Sequence, residues 1–209
     1  MEEAFTIDGL QGVLHHPLHP NGSALALTHG AGSDCRAPLL VEVARACAEA
    51  GLLVLRYDLP FRQQRPKGPP APAFSARDRE GVARAVEALR ARAPGVAIAG
   101  GHSYGGRQTA MAAAANPGMA DALLLLSYPL HPPNHPEKPR TAFFADWRTP
   151  ALFVHGSRDP FGTLDEMRDA LRQIPARVKL LPISGAGHDL KRAGLAGAVA
   201  ERLRALVLF

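Results

Sequence analysis

The sequence predicts an α/β fold, a doubly wound and mostly parallel sheet with helices on both faces. Two observations predict it. Short apolar segments alternate with segments of helical periodicity along the chain. Several of the apolar segments are continuous runs without polar alternation, which is typical of strands buried on both faces. The 209 residues suffice for a sizeable core, so we expect one domain over residues 1–209.

Six short apolar runs are the expected strands of the parallel part of the sheet. They lie at 24–27, 52–55, 96–99, 123–126, 151–154 and 178–181. The N-terminal stretch to about Leu18 has room for one or two antiparallel edge strands. In a parallel sheet, ligands bind at the carboxyl ends of the strands, so the residues that follow each run are of most interest.

Segments with helical apolar periodicity lie between these runs, and turn residues mark the ends of these segments. The expected helices lie at 38–50, from 75 to the stop at Pro94, at 105–115, at 164–174 and at 195–206. Ser75 with Asp78 is typical of a helix N-terminus, and Thr163 with Glu166 has capping-box spacing. The proline-rich segments 60–74 and 129–139 are expected to be surface loops that flank the site.

Composition excludes several classes of protein. Apolar residues make up 46% and charged residues 21%, and no apolar run is long enough to cross a membrane. The acidic N-terminus does not resemble a secretory signal. Two cysteines form no disulfide framework, and Cys47 falls on an apolar helical stripe, so we expect a cytoplasmic protein. The net charge of +5 comes from scattered arginines without an aromatic-interleaved basic motif, so no nucleic-acid partner is expected.

Residues 101–105 read Gly-His-Ser-Tyr-Gly and carry the strongest functional signal. They follow a short apolar strand and precede a helix of small residues. A Gly-x-Ser-x-Gly motif in that context places its serine on a sharp strand-to-helix turn with the hydroxyl exposed. The following helix directs its N-terminus at the site, where it stabilises developing negative charge. We therefore expect Ser103 to be a nucleophile.

A serine nucleophile needs a base, and the base needs an orienting acid. Asp159 lies just past the strand 151–154, and His188 lies in a glycine-rich loop after the strand 178–181. The order Ser, Asp, His is that of hydrolases on this type of sheet. Asp159 is favoured over the other carboxylates, which lie in the next helix, beside His188, or before the strand (Asp165, Glu166, Asp189, Asp146).

The segment Thr-His-Gly-Ala-Gly-Ser at 28–33 follows the first parallel strand. An oxyanion hole needs two backbone donors, and we expect them at Ala31 and at Tyr104, the residue after the nucleophile. The alternative is a phosphate-binding turn, but the Lys-Ser/Thr ending of a P-loop and the Gly-x-Gly-x-x-Gly spacing are both missing.

The other histidines carry weaker signals. Three of them cluster near the N-terminus (His15, His16 and His19) without a carboxylate or cysteine beside them. We interpret them as exposed imidazoles rather than a metal site. His131 and His135 lie among prolines, and the sequence leaves open whether they line the site.

Taken together, the segment from His29, the Gly-His-Ser-Tyr-Gly motif and Gly187-His188 resemble the α/β-hydrolase superfamily. The run Tyr-Pro-Leu-His-Pro-Pro from Tyr128 and the segment from Leu152 resemble its small, cap-less bacterial members of the dienelactone-hydrolase-like type. These are related to a domain shared by testis-expressed protein thirty and a subunit of the non-specific-lethal chromatin complex. The resemblance runs from about Ala24 to the C-terminus.

This resemblance implies a minimal α/β-hydrolase fold without a large cap domain and a triad of Ser103, Asp159 and His188. Dienelactone hydrolases use a cysteine where Ser103 stands, so their substrate class does not carry over. We expect a serine hydrolase that cleaves an ester-type bond of a small or short-chain acyl substrate. The expectation includes no metal, no organic cofactor and no membrane partner, and a monomer or homodimer.

Two alternative functions remain open on the sequence. An acyltransferase or perhydrolase would use the same triad and differ only in the acceptor of the acyl group. A non-catalytic interaction domain would keep the fold, and some relatives are of this kind. The intact triad positions and oxyanion loop favour catalysis.

Overall fold

A computed structural model describes residues 1–7 and 9–207 of the chain. Its centre is an eight-stranded sheet. In chain order the strands are β1 (Glu2–Ile7), β2 (Leu10–His15), β3 (Ala24–Thr28), β4 (Leu53–Tyr57), β5 (Ala97–His102), β6 (Ala122–Leu126), β7 (Ala151–Gly156) and β8 (Val178–Ile183). The helices are α1 (Pro38–Glu49), α2 (Pro60–Gln64), α3 (Ser75–Arg90), α4 (Tyr104–Ala115), α5 (Leu164–Leu171) and α6 (Leu195–Val207).

The strands lie in the order β1-β2-β4-β3-β5-β6-β7-β8. The first two strands are antiparallel to their neighbours, and all pairs from β4 to β8 are parallel. The predicted fold class is confirmed. The N-terminal stretch forms two antiparallel strands, as expected, but only β1 lies at the edge of the sheet, since β2 lies between β1 and β4. Consequently β3, β5, β6, β7 and β8 all end at the same edge of the sheet.

Helices cover both faces of this sheet, and successive residues of a strand serve opposite faces. Leu25 and Leu27 of β3 pack in the cluster that also contains apolar residues of α1 and α6. Ala24 and Ala26 pack in the cluster that contains residues of α3, α4 and α5. A strand covered on both faces needs apolar residues at every position, and this explains its unbroken apolar run.

The structure corrects the interpretation of residues 60–74 as a surface loop only. The short helix α2 begins there at Pro60, where proline is tolerated because the first N–H of a helix needs no intrahelical partner. Phe61 is buried, and its ring contacts those of His29 and Tyr104 at 5.5 and 5.6 Å. The high proline content of the segment had suggested an exposed loop, so the burial of Phe61 was not expected from the sequence.

The N-terminal histidines are also corrected in part. His15 is buried, because β2 lies between β1 and β4 and is not an edge strand. Its Nε2 accepts a hydrogen bond of 2.7 Å from Arg56 Nε. His16 is partly exposed and pairs with Glu3, and His19 is exposed. Within residues 1–7 and 9–207, no three potential metal-ligating side chains come together.

Two smaller expectations are confirmed: Cys47 lies in the core, and Thr163 and Glu166 form a reciprocal capping box at the start of α5. None of the described helices has the length and apolar content needed to cross a lipid bilayer.

Candidate active site

Ser103 lies on the turn between β5 and α4, as the motif predicts. Its backbone has φ 51° and ψ −116°, a combination that a residue with a side chain rarely adopts. Two hydrogen bonds hold this strained turn, from Ser103 N to Leu126 O and from Arg107 N to Ser103 O, both 2.9 Å. The turn thereby presents the hydroxyl at the carboxyl edge of the sheet.

Two glycines make the turn possible. A Cβ on Gly101 would lie 2.6 Å from backbone atoms of Gly105 and Gly106. A Cβ on Gly105 would lie 2.4 Å from the carbonyl oxygen of His29. Backbone cannot yield at such distances as a flexible side chain does, so both positions require glycine. Close approach, rather than a positive φ, is the reason here.

His188 joins the serine to Asp159. Its Nε2 lies 2.8 Å from Ser103 Oγ, and its Nδ1 lies 2.8 and 3.0 Å from the carboxylate oxygens of Asp159. The carboxylate can only accept, so Nδ1 carries the proton and Nε2 is free to accept from the serine hydroxyl. The three residues that the sequence singled out are thus brought together in one hydrogen-bonded chain.

The Asp159 carboxyl is kept in its ionised form. Burial acts to raise its pKa, but hydrogen bonds from His188 and from Phe161 N outweigh burial and hold the pKa below its usual range. The side chain of Asp159 has no exposed surface, whereas 22% of the His188 side chain is exposed. The Phe161 ring packs on the imidazole with centroids 4.2 Å apart. The imidazole therefore faces a buried negative charge on one side and remains partly exposed.

A second histidine, His102, positions the loop that carries His188. Its Nε2 lies 2.9 Å from the carbonyl oxygen of His188. Burial lowers the pKa of His102, so its ring is neutral and donates Nε2–H to that carbonyl. Sequence reasoning missed this contact. The available signal was the position of His102 directly before Ser103.

The two expected oxyanion donors belong to Ala31 and Tyr104, which line the same cavity as Ser103. Tyr104 is the first residue of α4, where backbone N–H groups have no intrahelical acceptor. The loop of Ala31 is held by Arg62, which donates to Ala31 O at 2.7 Å and to Ser33 O at 2.8 Å. Arg62 lies in the proline-rich segment and was not recognised from the sequence.

Tyr104 is anchored by a buried carboxylate. Its hydroxyl donates to Asp78 at 2.7 Å, and Asp78 also accepts from Phe61 N at 3.0 Å. Burial raises the pKa of Asp78 despite these bonds. The predicted helix N-terminus is confirmed, because α3 begins at Ser75 with Asp78 in its first turn, but no side chain caps it. The Ser75 hydroxyl instead donates to Gln108 Oε1 at 3.0 Å.

The cavity above Ser103 has a volume of about 580 Å³ and opens to solvent without a cap. Residues 127–150, all of them described, carry one short 3-10 turn at Phe144–Asp146 between β6 and β7. The expected absence of a large cap domain is confirmed. His131 and His135 point to Glu166 and Glu137, and neither is among the residues that line the cavity.

A Gly-x-Ser-x-Gly turn between a central parallel strand and a helix, with an early glycine-rich loop beside it, is typical of the α/β-hydrolase class of protein. Comparison with known families gives the same result, because residues 16–206 match the family described as alpha/beta hydrolase domain. The chain therefore belongs to the α/β-hydrolase domain family.

Solved structures with the same fold include one that is described as lacking a lid. A dienelactone hydrolase from Anabaena variabilis has 22% identity and a TM-score of 0.74, with 99% of this chain and 97% of that chain covered. A serine hydrolase without a lid from Xanthomonas campestris has 19% identity and a TM-score of 0.72, with 99% and 95% covered. A protein from Thermus thermophilus has 23% identity and a TM-score of 0.75, with 100% and 96% covered. The expected resemblance to the cap-less, dienelactone-hydrolase-like group is confirmed at the level of fold.

Proposed function

We propose that this protein is a serine hydrolase that cleaves an ester-type bond, a carboxylic ester or a thioester, in a small or short-chain acyl substrate. The observation that carries the proposal is the chain of hydrogen bonds from Ser103 Oγ through His188 to Asp159, with 2.8 Å on each side of the imidazole. Such spacing is within the range in which a general base removes a proton from a hydroxyl.

In the proposed reaction, Ser103 Oγ attacks the carbonyl carbon while His188 Nε2 takes the hydroxyl proton. The oxyanion of the tetrahedral intermediate lies at the backbone N–H groups of Ala31 and Tyr104. His188 then gives its proton to the leaving alcohol or thiol, and the acyl group stays on Ser103. Water attacks this acyl-enzyme with His188 again as base, which releases the acid and restores the serine.

The structure supports these assignments through charge. Asp159 is buried and ionised, so it stabilises the imidazolium that forms when His188 accepts the proton. The strained backbone at Ser103 and the contact of Gly105 N with His29 O at 3.1 Å keep the start of α4 beside the loop of Ala31. Donors that are positioned before reaction need no rearrangement, and each is worth on the order of 3 kcal/mol in the transition state.

The open cavity supports the choice of a small substrate. No helical cap covers Ser103 in residues 127–150, so the part of a long acyl chain that extends beyond the cavity would have no cap to cover it. Hydrolysis of 4-nitrophenyl acetate and butanoate is expected to be faster than that of the hexadecanoate. Activity restricted to the hexadecanoate would contradict this part of the proposal.

The decisive experiment is covalent labelling with a fluorophosphonate probe, which reacts with an activated serine. We expect labelling of the wild type, loss of labelling in Ser103→Ala and no change in Ser184→Ala, where an exposed serine of a nearby loop is removed. Absence of labelling in the wild type, or equal labelling in Ser103→Ala, would refute the assignment of the nucleophile.

A further inference from the structure

Two arginines line the cavity of Ser103, and the proposed reaction itself does not use them. Arg107 lies one turn into α4, and Arg140 lies in the segment between β6 and β7. Both are partly buried. No carboxylate is among the described residues that line the cavity. Within residues 1–7 and 9–207, neither guanidinium forms an ion pair. The cavity therefore holds two positive charges without a protein counter-charge.

The positive charges of Arg107 and Arg140 repel each other. Burial lowers the pKa of Arg140, and the positive charge of Arg107 lowers it further. Like charges that share a partly desolvated site raise the free energy of the empty protein. An anion that enters the cavity would remove this repulsion. Arg140 is also held in place, because its Nη1 donates to Pro129 O at 3.3 Å and its carbonyl accepts from the Tyr128 hydroxyl at 2.6 Å.

Hydrogen-bond donors near these charges lack acceptors. Arg107 Nε and Gln108 Nε2 are both buried without a partner among the described residues. Gln108 is fully buried, and its Oε1 is already used by the Ser75 hydroxyl. Most buried donors in folded proteins have a partner, and an acceptor that enters the cavity beside these two donors would supply one. The lining of the cavity thus supplies positive charge and spare donors together.

The position of Arg107 relative to Ser103 limits where an anion can lie. Arg107 follows Ser103 by four residues, and its N–H donates to Ser103 O at 2.9 Å. Ser103 directly precedes α4, and both Ser103 and Arg107 line the same cavity of about 580 Å³. An anionic group at the guanidinium would therefore lie only a few carbon atoms from a carbonyl at Ser103 Oγ. Pro69, Pro70 and Pro72 also line the cavity and offer apolar surface to those carbons.

We propose that Arg107 and Arg140 bind an anionic oxygen group of the substrate, a carboxylate or a phosphate, a few carbons from the scissile bond. The inference rests on the ester hydrolysis proposed above and specifies its substrate class: small esters with a negative charge. A guanidinium suits this task because its planar fork of N–H groups binds carboxylate or phosphate oxygens in pairs.

The test compares pairs of similar esters of which one member carries a negative charge and the other is neutral. One pair carries the charge on the acyl side, mono-4-nitrophenyl glutarate against 4-nitrophenyl pentanoate. A second carries it on the alcohol side, 4-butanoyloxybenzoate against its methyl ester. In the wild type we expect kcat/KM for the anionic member of at least one pair to be higher by about tenfold or more.

Arginine variants test whether these side chains cause the preference. Arg107→Gln and Arg140→Gln are each expected to lower the anionic-to-neutral ratio of kcat/KM by about tenfold. Because the ratio is taken within one variant, a general loss of activity cancels. Arg172→Gln is the matched control, since it removes the same charge from an exposed position on the surface and should keep the ratio. Inhibition of pentanoate hydrolysis by glutarate and by inorganic phosphate identifies which anion binds better.

The outcomes separate this inference from the proposed function. If the neutral esters are cleaved through Ser103 but neither pair shows a preference, or if both arginine variants keep it, the anion site is refuted and the hydrolase stands. If no ester is cleaved and the fluorophosphonate does not label, the hydrolase is refuted. Calorimetric titration of Ser103→Ala with glutarate and phosphate then decides the anion site: binding that Arg107→Gln abolishes supports it, and no binding refutes it.

Discussion

Gly105 joins the two halves of the expected oxyanion hole, so Gly105→Ala tests how closely they must approach. The new Cβ would lie 2.4 Å from His29 O and 2.8 Å from Thr28 Cγ2. Cβ atoms do not approach other atoms within 3.0 Å, so α4 and the loop after β3 must separate by at least 0.6 Å, which is 3.0 Å less 2.4 Å. The 3.1 Å hydrogen bond from Gly105 N to His29 O would be stretched.

Overpacking of this kind costs about 1–3 kcal/mol of unfolding free energy. At this chain length each kcal/mol corresponds to a fall in Tm of about 2–4 °C. The displacement also moves the backbone donors, and a shift of about 1 Å at a catalytic site costs on the order of 100-fold in rate. We expect Gly105→Ala to lower both Tm, measured by circular dichroism, and kcat/KM for 4-nitrophenyl butanoate.

Gly197→Ala is the matched control for this change. Gly197 lies in α6, and a Cβ there would meet nothing within 4 Å. Alanine in a helix is favoured over glycine by about 0.5–1 kcal/mol, so Tm should stay level or rise and kcat/KM should not change. Wild-type Tm and kcat/KM in Gly105→Ala would refute the claim that close backbone approach requires glycine at this turn.

Two further predictions follow from the polar groups. Asp159→Asn should lower kcat by about 10³–10⁴-fold with an unchanged circular dichroism spectrum, because an amide cannot stabilise the imidazolium. The control Asp165→Asn, which changes an exposed carboxylate, should leave kcat unchanged. Full activity of Asp159→Asn would contradict the triad. Burial and the charge of Arg56 lower the pKa of His15 from 6.5 to about 4. The unfolded chain then binds more protons between these values, so unfolding free energy falls as the pH drops from 6.5 to 4, by about 3 kcal/mol. Denaturant unfolding should show that the unfolding free energy of His15→Gln falls less over this pH range than that of the wild type. An equal pH dependence in His15→Gln and the wild type would contradict this prediction.

The parallel core was predictable because burial on both faces leaves a direct mark on composition. Runs such as residues 123–126 must be apolar at each position, and the observed strand is Ala122–Leu126. The ends were less predictable. β4 continues to Tyr57 and β7 to Gly156, since backbone pairing persists after the apolar run has ended.

Residues of the candidate site were predictable to different degrees. Ser103 was predictable because it lies in a local motif whose two glycines indicate the tight turn that the backbone makes there. His102 and Arg62 bind backbone carbonyl oxygens of other segments. Every residue has such a carbonyl, so the residue types in the sequence do not indicate which one is bound. Asp78 has the pattern of a helix-start charge, yet its partners Phe61 and Tyr104 come from other segments of the chain.

The sequence by itself determined the sheet, the strand-to-helix turn at Ser103 and the chain order of Ser103, Asp159 and His188, because each depends on neighbours in the chain or on the apolar content of a buried strand. The tertiary structure decided which polar groups share an environment. It buried His15 beside Arg56 and brought Arg107 and Arg140 into one cavity, although they are far apart in the chain. Charge, desolvation and unsatisfied donors depend on distance in space, and a linear pattern does not contain that distance.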